Sequence, residues 1–249
     1  MKKIFKNYKS LALFLISSIF ILLSPIQKEY LKLIFVLILH ELGHIFFLSL
    51  FNVKINNFKI SIFGGFIDSK IDLSLYQELL IYSGGIIFNI IILLIPKLYN
   101  YSLLLIIFNI LPIYPLDGYN IFKSIISYFL DYHKTLYLSY IISIITSLIL
   151  ILLSIIYLNA LILINLIYCL IFSIINYKAI SFEYNKFLFN KYKYYKKRRY
   201  KYLYKLKKYP FFKYHNTIIW NNDIIITDYD LLKKRFNSSG GLNWAILIL

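Results

Sequence analysis

The sequence is short of cysteine and of acid. Cys169 is its only cysteine and sits inside an apolar block, so no intramolecular disulfide can brace the fold and the redox compartment stays open. Eleven Asp and Glu stand against 28 Lys and Arg, for a formal net charge of +17. No internal repeat is present, which argues against a transporter built from paired repeats. No small-residue cleavage site follows the first apolar block: "LALFLISSIFILLS" runs directly into "PIQKEY". The expectation is therefore an uncleaved first span and not a removed signal peptide. Long polar stretches are also scarce. The chain is 60% hydrophobic with mean hydropathy +0.68, which a soluble domain of this length rarely reaches.

The apolar residues are gathered into long blocks, the signature of membrane spans. Six segments stand out: Leu11 to Ile26, Tyr30 to Phe51, Tyr76 to Ile95, Tyr101 to Leu111 with a continuation to Leu130, Thr135 to Leu158, and Ala160 to Asn176. The second would be about 33 Å long as a helix, enough for a bilayer core. The fifth and sixth are divided by a tight turn near Asn159, so they should be antiparallel neighbours. The predicted fold is an all-α polytopic membrane protein of about six transmembrane helices, with a membrane-associated β-hairpin and a small cytoplasmic tail. Residues 1–177 form the spanning domain and residues 178–249 the tail.

Charge sets the expected orientation. Four lysines precede the first block and thirteen Lys or Arg lie between Lys178 and Lys213. Cytoplasmic flanks retain Lys and Arg, so the prediction is a multi-pass protein of the cell membrane with both termini in the cytoplasm. The segment "VKINNFKISIFGGFIDSK" alternates apolar and polar residues around Gly64-Gly65 and reads as a pair of short strands with a glycine turn. In the tail, two β-prone runs flank "NND", and Asp228 is placed to cap a short helix. The interleaved tyrosines and lysines of the tail suit anionic lipid beside the sixth span, or a plain stop-transfer run. Nucleic acid, the remaining use for such a pattern, is not expected.

The stretch Phe35 to Phe47, "FVLILHELGHIFF", places three ionisable residues inside the second span. A charge at that depth costs about 2.5–3.5 kcal/mol on insertion scales. His40 and His44 are four apart and share one helix face, a spacing that lets two imidazoles hold one tetrahedral Zn²⁺. Glu41, beside the first of them, can reach a water at the metal, as in the H-E-x-x-H arrangement of zinc peptidases. With four His and four Glu in the chain, chance would produce this triplet on the order of 0.001 times per sequence.

A catalytic zinc site needs a third protein ligand. Most of the acids lie at span ends, in the inner loop or in the tail. Asp117 is the outlier, inside "NILPIYPLDGYN". Pro112 and Pro115 each remove a backbone donor, so the helix must break there. Irregular backbone at membrane depth is tolerated where it is buried in protein or lines a wet cavity. A broken helix bearing one carboxylate suits a metal site. Glu78 and Glu183, the third-ligand candidates for a gluzincin-type peptidase, sit at span ends with no supporting motif.

"HELGH" followed by "LPIYPLDG" resembles the site-2 intramembrane metalloproteases, and within them the bacterial branch of stage IV sporulation protein FB. The likeness runs from about Leu31 to Tyr119. It implies His40, His44 and Asp117 as zinc ligands, with Glu41 as the catalytic carboxylate. "SGGIIFN" is similar to the family's small-residue segment ending in asparagine, and a lipid-buried Asn89 must find partners: either it holds the substrate backbone, as the resemblance implies, or it makes a helix–helix hydrogen bond. "SIFGGFID", with Gly64 and Gly65, resembles its membrane-associated strand segment, which implies strand addition to an unwound substrate.

The implied activity is regulated intramembrane proteolysis: hydrolysis of a peptide bond in or near the transmembrane segment of a membrane-associated regulatory protein or precursor. Inhibitory membrane partners and sporulation as the setting belong to the same implication. Members of that branch often end in a paired nucleotide-binding module, for which the sequence after Lys178 is too short and too basic. The alternative is a catalytically silent membrane module that binds metal or substrate.

Overall fold

The computed structural model describes residues 27–53, 58–61, 64–67, 73–156, 160–204, 210–221 and 224–237. The expected first span and the turn at Asn159 lie outside these residues. Helix α1 (Gln27–Leu50) is followed by strands β1 (Phe58–Ser61) and β2 (Gly64–Ile67) and by helices α2 (Leu75–Ile92), α3 (Tyr99–Ile110), α4 (Asp117–Phe129), α5 (Tyr132–Ile156) and α6 (Ala160–Lys178). The tail adds α7 (Ile180–Lys193), β3 (Tyr200–Leu203), β4 (Asn216–Asn221), β5 (Ile224–Thr227) and α8 (Asp228–Asn237).

Among the described residues, three helical segments are long and apolar enough to cross a bilayer: Lys28–Leu50, Leu75–Ile92 and Tyr132–Ile156. A fourth span results if α6 and α7, bent by 61° at their junction, count as one. Helix α3 is apolar but short. Phe35, Ile38, Phe46, Ile90, Ile107 and Ile149 are exposed, as side chains facing lipid would be. Lipid solvates these side chains, so burial inside the bundle falls instead on small and polar residues. Ser102, Ser124, Ser139, Ser143, Ser147 and Ser173 are all fully buried. The Ser143 and Ser173 hydroxyls lie 2.8 Å apart and tie α5 to α6.

Helix α1 packs along α2, and glycine decides how closely. A methyl group on Gly43 would overlap the Gly84 carbonyl oxygen, and one on Gly84 would overlap the Gly43 carbonyl. The two backbones touch there, at a residue that lies between the two histidines in α1. Helix α2 starts with a capping box: Gln77 N donates to Ser74 Oγ at 3.3 Å and Ser74 N to Gln77 Oε1 at 3.0 Å. Between α3 and α4 the chain is irregular, as two prolines in four residues require. Leu111 and Leu116 are both extended, and α4 begins at Asp117. Buried Ile113 and the Tyr114 N–H, which donates to Ser143 Oγ at 2.8 Å, anchor the break.

The hairpin pairs β1 with β2 antiparallel, Ser61 opposite Gly64 and Ile60 opposite Gly65. The two glycines therefore lie in the second strand, paired with Ser61 and Ile60, and not in a turn between the strands. Two-residue alternation locates a strand pair without fixing where it reverses.

In the tail, β4 pairs antiparallel with β5, as the two β-prone runs suggest, and parallel with β3. The capping assignment differs from expectation. Thr227 Oγ1 accepts from Asp230 N, and Asp230 Oδ2 accepts from Thr227 N, so Thr227 caps α8. Asp228 is fully buried instead, with Lys191 Nζ at 2.8 Å and the Tyr195 hydroxyl at 3.0 Å. The tail builds only a small core of its own, around Leu203, Phe212 and Ile219. Its larger cluster is shared: Phe211 and Leu232 pack with Tyr119, Leu136 and Tyr140 of the helical bundle.

Candidate metal centre

Three buried side chains converge between α1 and the start of α4. His40 Nε2 lies 3.1 Å from Asp117 Oδ2, His44 Nε2 lies 3.1 Å from the same oxygen, and the two Nε2 atoms are 3.3 Å apart. All three residues are at most 3% exposed. They form a His/Asp group able to hold a metal ion. Around a tetrahedral ion with bonds of about 2.0–2.1 Å, neighbouring donors stand about 3.3–3.4 Å apart. The observed triangle is close to one face of that tetrahedron.

Hydrogen bonding behind the rings sets their lone pairs. His44 Nδ1 is 2.7 Å from the Ile81 carbonyl oxygen. A carbonyl only accepts, so Nδ1 carries the proton and Nε2 presents its lone pair forward. His40 Nδ1 is 3.0 Å from the Asn89 side-chain amide, whose oxygen has no partner. Turned by half a rotation, that amide accepts from His40 Nδ1–H and leaves a second lone pair at Nε2. Two nitrogen lone pairs and a carboxylate oxygen then meet with no proton between them, a donor set that suits a cation. Glu41 Oε2 and Asp117 Oδ1 are buried without a hydrogen-bond partner, so acceptors remain beside the group.

Asn89 is fully buried. The sequence leaves a substrate contact or a helix–helix hydrogen bond open for it; the observed contact is a hydrogen bond across the helices to the back of the His40 ring. Gly85, from the same small-residue segment, touches both rings: a methyl there would overlap His40 and His44. Gly64 and Gly65 lie in β2 and are not part of this group. Glu78 and Glu183 are engaged elsewhere. Glu183 accepts from Tyr140 at 3.0 Å and stands 3.5 Å from Lys123. Glu78 accepts from Ser124 at 2.8 Å, Tyr214 at 2.6 Å and Lys213 at 2.5 Å. Burial, and then the Glu78 carboxylate, push the Tyr214 hydroxyl well above its ordinary range, so it remains a donor. The other two histidines pack edge-on against aromatic rings, His133 on Tyr184 and His215 on Tyr128.

Sequence reasoning missed one contact of the group and one buried polar residue near it in α4. The Ile81 carbonyl carries no sequence signal, because every residue has one. Asn120 is buried with neither amide atom bonded; its one signal is its position, a helical turn after Asp117.

No family model and no curated protein matches the sequence. Solved structures do. A site-2 protease from Methanocaldococcus jannaschii aligns with TM-score 0.52 and 24% identity, over 67% of this chain and 87% of that one. The chain is thus a mostly helical, polytopic membrane protein with the fold of that site-2 protease.

Proposed function

We infer that the chain belongs to the site-2 intramembrane zinc metalloproteases and hydrolyses a peptide bond in or near the transmembrane segment of a membrane-associated regulatory protein. One observation carries this reading: His40, His44 and Asp117, 77 residues apart at the extremes, bring three metal-ligating atoms to mutual distances of 3.1–3.3 Å beside an unbonded Glu41 oxygen. The fold shared with a site-2 protease supports it.

His40 Nε2, His44 Nε2 and Asp117 Oδ2 would hold the zinc. When bound, zinc supplies Lewis acidity and brings the pKa of water down to about 7. Glu41 takes a proton at its carboxylate as water adds to the scissile carbonyl carbon, and delivers it to the departing amide nitrogen as the C–N bond breaks. Asn89 and the Ile81 carbonyl keep the two rings from turning. A substrate helix hides its carbonyls in its own hydrogen bonds and must unwind before this can happen. Pairing with the β1–β2 hairpin would replace the bonds lost. Both termini are assigned to the cytoplasm from the distribution of Lys and Arg.

The test is co-expression of tagged membrane-associated candidates with the native chain or with Glu41→Gln. The expected result is cleavage by the native chain alone, with zinc retained in the variant. Full cleavage by Glu41→Gln would remove Glu41 from the mechanism.

A further inference from the structure

A cavity of about 350 Å³ lies between the helical bundle and the tail. Two of its lining residues are one helical turn from the metal group. Asn120 follows Asp117 by three residues on α4, and Tyr82 precedes Gly85 by three on α2. From there the cavity reaches Lys213 and Asn216 of the tail. It therefore runs from residues one helical turn beyond Asp117 and Gly85 to the junction with the tail, and none of His40, Glu41, His44 or Asp117 lines it.

Asn120 is 1% exposed, and neither its amide nitrogen nor its amide oxygen has a partner. Buried polar groups are nearly always satisfied, so this side chain calls for a ligand with a donor and an acceptor side by side. An extended peptide residue offers both, since its N–H and C=O project from one edge of the chain. The charge of the cavity narrows the choice. Six of its lining residues are Lys or Arg and two, Glu78 and Glu183, are acids; with Lys191 neutralised by buried Asp228, an excess of three positive charges remains. A narrow site with that excess concentrates anionic partners.

We propose that this cavity receives the flank of the substrate on the tail side of the scissile bond, as an extended acidic segment whose backbone is held by Asn120. The proposal rests on the protease reading and adds to it a substrate preference and a binding residue. Lys123, on the same face of α4 as Asn120, supplies charge to the same segment.

The experiment uses the full chain in detergent with zinc bound. Two single-span reporters share one scissile region and differ in one flank, four acidic residues or four lysines. The acidic reporter should be cleaved with a kcat/KM at least about tenfold higher. Asn120→Leu should lower kcat/KM by about ten- to hundredfold, mainly through KM, with zinc content unchanged. Asn120→Asp, which keeps the size but adds a negative charge, should penalise the acidic reporter more than the basic one. Binding of both reporters to Glu41→Gln, where nothing is cut, reads the cavity separately from the chemistry. A preference of about tenfold for the acidic reporter there supports the proposal even if the native chain cuts neither; that combination would sink the protease reading alone. Equal binding of the two reporters, or native kinetics in Asn120→Leu as expected for an amide satisfied by a buried water, would overturn the proposal.

Discussion

Replacing Gly85 by alanine tests the metal centre without replacing any of its ligands. The added Cβ would lie 2.6 Å from His44 Nε2 and closer still to His40 Nε2 and Cε1, whereas ordinary contact begins at 3.4 Å. The rings must therefore retreat by about 0.8 Å or more, while metal–ligand distances tolerate about 0.2 Å. The Ile81 carbonyl and Asn89 grip both rings from behind, so the retreat breaks those bonds too. Disturbing a single supporting partner typically weakens metal binding 10- to 100-fold, or about 1.4–2.8 kcal/mol, and here both rings move. Competition with a chelator, with zinc measured on the purified chain, reads this directly. Gly84→Ala is the control: its methyl meets the Gly43 backbone and the Phe47 ring and not the imidazoles, so it should lower the melting temperature without a selective loss of zinc. If Gly85→Ala kept zinc affinity within about twofold of the native chain, the converging His/Asp geometry would be wrong as a metal site.

Three further outcomes are expected. Asp117→Asn should weaken zinc by more than about a hundredfold, since it removes the only anionic ligand of the group; unchanged zinc content would point to another third ligand. Asn89→Leu should cost about ten- to hundredfold in zinc affinity by freeing the His40 ring, whereas a residue that only held substrate would leave zinc unchanged and raise KM. Glu78→Gln should loosen the tail by roughly 1–3 kcal/mol, because Ser124, Tyr214 and Lys213 converge on that one carboxylate. Limited proteolysis between β3 and β4, or hydrogen exchange in the tail sheet, measures this; native protection in the variant would mean that hydrophobic packing of Phe211 and Leu232 alone holds the tail.

Much of this arrangement is legible in the chain. The H-E-x-x-H spacing puts two imidazoles on one face, and two prolines within four residues force the break that ends at Asp117. Helix limits agree with the apolar blocks to within a few residues for α1, α2 and α5. Other features were misread for identifiable reasons. Gly64 and Gly65 have the composition of a turn, yet pair within β2, because glycine is permitted in a strand as well as in a turn. Asp228 looks like a cap, but Thr227 can cap equally well, and the buried Lys191 needs the carboxylate more. Asn89 is not misread but left open: nothing in the sequence separates holding a substrate from making a helix–helix hydrogen bond, and the bond to His40 is of the second kind.

Local sequence is sufficient for the span limits, the histidine face and the helix break, because each depends on residues within one or two turns of one another. The sequence alone also narrowed the third ligand, since so few acids compete for the role. Only the tertiary structure decided that Asp117 Oδ2 stands 3.1 Å from both imidazoles, that Glu78 is a clasp for the tail, and that a cation-lined cavity borders Asn120. Each of those depends on how separate helices approach. That approach is set by the glycine contact of α1 with α2 and by the docking of Phe211 into the bundle, contacts between residues far apart in the chain that no local pattern encodes.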